Sequence, residues 1–146
     1  MSDYRFEGQS GSVEGMAKVP GSKSLTNRAL VLAALADGHT VVRNILLAED
    51  TWIMIEALRA FGIPVTVDEK DKTAEVTGCG GHIPANDAEI FCGNSGTTMR
   101  FCTALASLSR EGRYRLDGIA RMRRRPIGAL ADALQSLGTG IDYEDE

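Results

Sequence analysis

Eight consecutive apolar residues, Ala29–Ala36, follow a polar stretch ending in Thr26-Asn27-Arg28, and the junction predicts a helix from Ser24 to Asp37. Ser22 or Ser24 can cap its start, and Gly38 follows its end. An unbroken apolar run of this length predicts a helix buried on most of its sides. His39 to Ile45 reads as a strand, and Asp50 is a candidate N-cap for a second helix through Phe61, closed by Gly62. Ile63 to Val67 and Thr73 to Thr77 read as two strands joined by the charged turn Asp68-Glu-Lys-Asp71. Upstream, Tyr4 to Gly8 and Ser12 to Met16 read as short extended segments before Pro20-Gly21 breaks the chain.

After the loop marked by Gly78-Cys-Gly-Gly81 and Pro84, the pattern returns. Ala88 to Cys92 is a predicted strand, Gly93-Asn-Ser-Gly96 a turn and Thr97 to Leu108 a helix. Arg113 to Leu116 is a strand, Arg121 to Arg125 a basic loop, Pro126 to Leu137 a helix and Thr139 to Tyr143 a last strand. Arg28 with its apolar helix recurs as Arg100 with its own, Gly38 as Gly112, and residues 57–62 as 133–138. Each unit runs helix, strand, helix, strand. The first then adds a second strand and the second does not, so the chain is expected to be cut from a longer protein. The fold class expected is α/β (α+β), with repeated βαβαββ-type units, about two of them and the second incomplete.

Hydrophobic residues are 43% of the chain and aromatic residues only 5%, so the core must be mainly aliphatic. A net charge of -4 argues against a nucleic-acid-binding domain, which needs a basic footprint. Cys79, Cys92 and Cys102 form no CxxC pair, which points to reduced thiols in a cytoplasmic protein. Met1 to Val19 carries acidic residues and no apolar run, so no signal peptide is expected, and no run is long enough to span a bilayer.

Charge is placed unevenly, and that placement directs the search for chemistry. Pro20-Gly-Ser-Lys-Ser-Leu-Thr-Asn-Arg28 puts Lys23 at a helix start and Arg28 one turn inside. Unpaired N–H groups and a partial positive charge at that end make an anion site. Lys contributes a point charge, and Arg a fork shaped to phosphate or carboxylate. Gly93-Asn-Ser-Gly-Thr-Thr-Met-Arg100 has glycines that allow close backbone approach, although it is no P-loop. Arg121-Met-Arg-Arg-Arg125 crowds four arginines, and an anionic ligand is one reason for such crowding. No carboxylate pair, Ser-His-Asp set or metal cluster stands out; His39 and His82 are expected at the surface, and Trp52 on a packing face. The residues by themselves thus read as an α/β repeat protein with a cationic cleft for phosphorylated ligands. A stand-alone, non-catalytic phosphometabolite-binding module is the alternative, and RNA binding through the Arg loop a third reading.

In order and spacing, Pro20-Gly-Ser-Lys-Ser-(x2)-Asn-Arg28, Gly93-Asn-Ser-Gly-Thr-Thr-Met-Arg100 and Arg121-Met-(x2)-Arg-Pro-Ile-Gly128 resemble the amino-terminal signatures of the 5-enolpyruvylshikimate-3-phosphate synthase family. Lys23-Ser24, where the related nucleotide-sugar enolpyruvyl transferase has Lys-Asn, favours the shikimate branch. The resemblance covers nearly all of Val19 to Glu146. It implies two globular domains of three α/β units each, with residues 1–20 belonging to one and residues 21–146 to the other, truncated. It implies transfer of the enolpyruvyl group of phosphoenolpyruvate to the 5-hydroxyl of shikimate 3-phosphate with release of phosphate. No cofactor or metal is implied, no nucleic-acid or membrane partner, and a monomer; glyphosate is the implied inhibitor. By motif, Lys23 is the catalytic residue touching both substrates. Ser24 and Arg28 bind shikimate 3-phosphate, and Asn94, Gly96, Thr97 and Arg125 bind phosphoenolpyruvate. Phe101 stands where many members carry Pro and Ser95 where many carry Ala; the retained Gly96 goes with glyphosate sensitivity. The family's acid-base residues lie later in its sequence, so this chain alone is expected to be inactive.

Overall fold

A computed structural model describes Arg5, residues 7–8 and residues 10–144. The apolar run becomes α1 (Lys23–Leu35), capped by Ser22, whose hydroxyl accepts from the Leu25 N–H. Its burial is narrower than the unbroken run predicts. Leu30, Ala33 and Ala34 are buried, whereas Leu25 and Leu32, two turns apart on another face, are 68% and 69% exposed. Among the described residues, the neighbours of α1 lie on one side only, and seven apolar residues in a row cannot all face one side of a helix.

β1 (Asp37–Arg43) starts two residues earlier than the predicted strand and stops two earlier. Cross-strand pairing sets both limits: Asp37 opposes Cys79, Arg43 opposes Thr73, and Asn44 turns the chain away at a φ of 55°. α2 (Glu49–Ala60) has Ala48, not Asp50, at its N-cap. The buried Thr51 hydroxyl accepts the Ala48 N–H at 2.8 Å and takes over the capping. β2 (Val65–Asp68) and β3 (Thr73–Cys79) form the predicted hairpin, whose turn is closed by Asp71 N–H donating to Asp68 Oδ1. The resulting antiparallel sheet has the order β1-β3-β2.

β4 (Asp87–Phe91), α3 (Gly96–Ala106) and β5 (Arg113–Asp117) form a parallel βαβ unit. The basic segment is not an open loop. It contains a single helical turn, α4 (Ala120–Arg123), ahead of α5 (Gly128–Ser136). The expected repeat is visible in part: α1-β1-α2 corresponds to α3-β5-α5, with the short α4 interposed and no strand after α5 among the described residues. One aliphatic core joins the halves, because Leu30, Met54, Leu58, Phe61 and Val76 pack in the same cluster as Ile90, Cys102 and Leu105. Trp52 lies against this core as expected, and all three cysteines are free thiols.

Two expected strands are not formed. Residues 12–16 make no ladder, and Val13 and Met16 stand in solvent; the segment beginning at Tyr4 includes Tyr4 and Phe6, which lie outside the described residues. Residues 139–143 fold back on α5 instead, with Thr139 N–H donating to Leu134 O and Gln135 Nε2 donating to Ile141 O. A suitable strand sequence needs a partner edge, and among the described residues neither segment has one.

Candidate functional site

The amino-terminal ends of α1, α2 and α3 adjoin. Lys23, the first residue of α1, places Nζ 2.9 Å from Oδ2 of Asp50 in the first turn of α2. One turn further along α2, Ile53 abuts the Gly93 turn so closely that a Cβ at Gly93 would come within 2.7 Å of Ile53 Cδ1. Gly93 also holds a φ of 52°, which favours glycine here, whereas the tip of the Ile53 side chain could shift aside. The Gly93 carbonyl accepts the Ile119 N–H at 3.0 Å, and the Cys92 N–H donates to Asp117 O at 2.6 Å. These bonds bring α4 and its arginines beside the start of α3.

α3 opens on Ser95, a fully buried N-cap. Its hydroxyl lies 2.8 Å from Thr98 Oγ1 and accepts the Thr98 N–H, so it is engaged with the helix end rather than directed outward. Gly96 follows at the helix start. A Cβ there would lie 2.8 Å from Arg125 Nη1 and 3.3 Å from Arg100 Nη1. Two guanidinium groups therefore crowd the first turn of α3, and a Cβ at Gly96 would have to push one of them aside. Arg100 is fixed there by donating to Gly96 O and Pro126 O. A shallow hollow of about 260 Å3 lies alongside, lined by Arg100, Pro126, Ile127, Ala129 and Leu130. A larger hollow, about 640 Å3, covers the outer face of the antiparallel sheet. Asp68, Glu69, Asp71 and Glu75 line it, with Arg43 the one cation among the described lining residues, so its field is opposite in sign to that of the arginines around Gly96.

The predicted residues thus fall into two connected groups. Gly96 and Arg125 meet directly, with Thr97 on the same first turn of α3. Asn94, in the preceding turn, buries an amide oxygen that has no hydrogen-bond partner among the described residues. Lys23, Ser24 and Arg28 lie on α1, and Arg28 is linked to α3 by Phe101, whose ring centroid is 5.8 Å from the guanidinium carbon. Among the described residues, no hydrogen bond or ion pair joins Lys23 to Gly96 or Arg125; α2 intervenes through Asp50 and Ile53.

Reasoning from sequence missed two carboxylates. Asp50, read as a helix cap, instead holds the site lysine. Asp117 holds Arg123 in a fork, receiving Nε at 2.9 Å and Nη2 at 2.8 Å. Crowding of the four arginines is thus relieved in part by a protein carboxylate and does not by itself require a ligand. An acidic residue at the end of a strand just before an arginine cluster was the available signal. Arg123, together with the Gly118 N–H, holds the Asp117 carboxyl down from an ordinary 3.8 to about 2. A depressed folded value means the pair's stabilisation is intact above about pH 4 and is lost as pH falls toward 2. Acid titration is expected to shift the Arg123 Nε–H resonance in that window, and an unmoved resonance between pH 5 and pH 2 would count against the pair.

Residues 8–146 match the family model described as EPSP synthase (3-phosphoshikimate 1-carboxyvinyltransferase). A protein named 3-phosphoshikimate 1-carboxyvinyltransferase from Thiobacillus denitrificans is 52% identical over 129 residues, covering 88% of this chain and 30% of that relative. Its namesake from Nostoc punctiforme is 45% identical over 132 residues, covering 90% of this chain and 31% of the relative. The solved structure of EPSP synthase from Acinetobacter baumannii superposes with a TM-score of 0.75 at 28% identity, over 90% of this chain and 30% of that one. The chain therefore spans about 30% of the length of the curated relatives it matches. Among the described residues, no helix is long and apolar enough to cross a membrane.

Proposed function

The chain belongs to the EPSP synthase family, and from that membership we propose that it supplies the amino-terminal share of an enzyme moving the enolpyruvyl group of phosphoenolpyruvate to the 5-hydroxyl of shikimate 3-phosphate, with release of phosphate. Residues 21–146 belong to one globular domain of that enzyme and residues 1–20 to the other. The reaction is a step of the shikimate pathway, leading to chorismate and the aromatic amino acids, and takes place in the cytoplasm of a monomeric enzyme without cofactor or metal.

The observation that carries this reading is the pressing of Arg125 and Arg100 against Gly96 at a helix start. Arg100 is held by neutral carbonyls and Arg28 by a carbonyl and a ring, so both keep their charge for an incoming anion. Two substrates that each carry phosphate repel one another. Cations that hold both make the attack effectively intramolecular and stabilise the charge moving onto departing phosphate. In this role Lys23 touches both substrates, Ser24 and Arg28 bind shikimate 3-phosphate, and Asn94, Gly96, Thr97 and Arg125 bind phosphoenolpyruvate. Glyphosate competes at the latter position.

Phosphate release from the two substrates is the direct test. The full-length parent should turn over, and the 146-residue chain should not. When the chain is titrated with shikimate 3-phosphate, amide shifts should centre on Lys23, Ser24 and Arg28. Turnover by the chain alone, or shifts confined to other residues, would refute the assignment.

A further inference from the structure

The cations of the site differ in what holds them. Lys23 is paired with Asp50 and Arg123 with Asp117. Arg28 Nη1 donates to Ser24 O at 2.9 Å, within its own helix. Its contact across the fold is the face of the Phe101 ring, 5.8 Å from the guanidinium carbon to the centroid. Phe101 extends from the middle of α3, half-buried against the core, so the position of its ring is set by packing and not by Arg28. The exposed end of the pair is the arginine.

We propose that Phe101 is a positioning residue for Arg28: its ring seats the guanidinium, leaves the charge uncompensated, and ties the anion-binding end of α1 to α3. The proposal rests on the reading of Arg28 as a shikimate 3-phosphate ligand. A carboxylate in the same place would also hold the arginine, but it would cancel the charge and compete with the incoming phosphate. An aromatic face attracts a cation through its quadrupole and adds no counter-charge. A seated arginine has also given up rotamer freedom before the ligand arrives, which lowers the ordering cost of binding. Packing alone would require only a side chain of similar bulk, and Leu meets that requirement.

NMR on the 146-residue chain separates these roles. In the unsubstituted chain the Arg28 Nε–H proton should be shifted by the ring current. F101L should abolish that shift, and F101Y should restore it. Titration with shikimate 3-phosphate should show about two- to fivefold weaker binding in F101L, the range a cation–π contact supports, with recovery in F101Y. In an R28A background, F101L should have no further effect on affinity. An Arg28 resonance indifferent to F101L overturns the proposal, as does an equal loss of affinity from F101L with and without Arg28. If the unsubstituted chain binds no shikimate 3-phosphate while Arg28 still responds to F101L, the substrate assignment falls and the seat stands.

Discussion

Gly96→Ala in the full-length parent is expected to raise the KM for phosphoenolpyruvate by about ten- to a hundredfold while leaving that for shikimate 3-phosphate within about twofold. The new methyl carbon would lie 2.8 Å from Arg125 Nη1, well inside contact distance, and 3.3 Å from Arg100 Nη1. Arg100 cannot yield easily, because Gly96 O and Pro126 O both hold its guanidinium. Arg125 must therefore move, and the cation proposed to receive phosphoenolpyruvate leaves its place. A charge-assisted hydrogen bond lost in this way is worth about 1.5–3 kcal/mol, which sets the range. Inhibition by glyphosate, proposed for the same position, should weaken in parallel. Arg28, seated on Phe101 from a different helix, has no reason to shift. Steady-state phosphate release with each substrate varied in turn gives both constants. An unchanged KM for phosphoenolpyruvate would remove Arg125 from the site; equal increases for both substrates would mean that the substitution distorts α3 as a whole.

Local chemistry made most elements legible before any coordinates. Ser22 and Ser24, both ahead of the apolar run, were candidate caps by residue type alone, and Ser22 is the one that caps α1. The Asp68–Asp71 turn between two alternating segments gave the hairpin, because turn residues and period-2 alternation act over a few residues. What failed depended on partners distant in sequence. Strand limits at Asp37 and Arg43 follow from the opposing β3, which starts thirty residues later than β1 ends. Residues 12–16 and 139–143 read as extended segments but have no opposing edge among the described residues, so neither forms a ladder. The exposure of Leu32 is of the same kind, since a run of apolar letters does not record how many sides have neighbours.

The site was legible in its cations and not in its carboxylates. Lys23 and Gly96 open α1 and α3, Arg28 lies one turn inside α1 and Arg125 falls between α4 and α5, and small and cationic residues clustered near helix starts are a signal that sequence displays. Asp50 was visible too, but an acidic residue in the first turn of a helix is fully explained by the helix dipole, so its hold on Lys23 could be found only in space. Ser95 looked like a change beside the ligand and is a buried cap. Phe101 looked like a departure from a pattern, and its contact with Arg28 required two helices to be packed side by side.

Lys23→Met should lower kcat of the full-length parent by about a hundred- to a thousandfold, the usual cost of removing one electrostatic donor from a reacting centre. Lys23 begins α1, where the helix end already favours anions, and it faces the first turn of α2 through Asp50 at 2.9 Å. That ion pair is about half open to solvent on the lysine side, so its own contribution to stability is at most about 1 kcal/mol. Removing the ammonium should thus barely change the urea midpoint while nearly abolishing turnover, and that separation distinguishes a functional lysine from a structural one. Lys23→Arg should recover the charge but not the rate: a planar fork cannot replace a compact ammonium that is proposed to contact two substrates at once. Asp50 sharpens the test, since an anion that binds Lys23 must share it with that carboxylate. Asp50→Asn should therefore tighten binding of shikimate 3-phosphate to the parent, whereas a merely structural pair would leave affinity where it was. Full activity in Lys23→Met, or a fall in stability matching the fall in rate, would mean that the lysine serves the fold and that the reacting centre lies elsewhere.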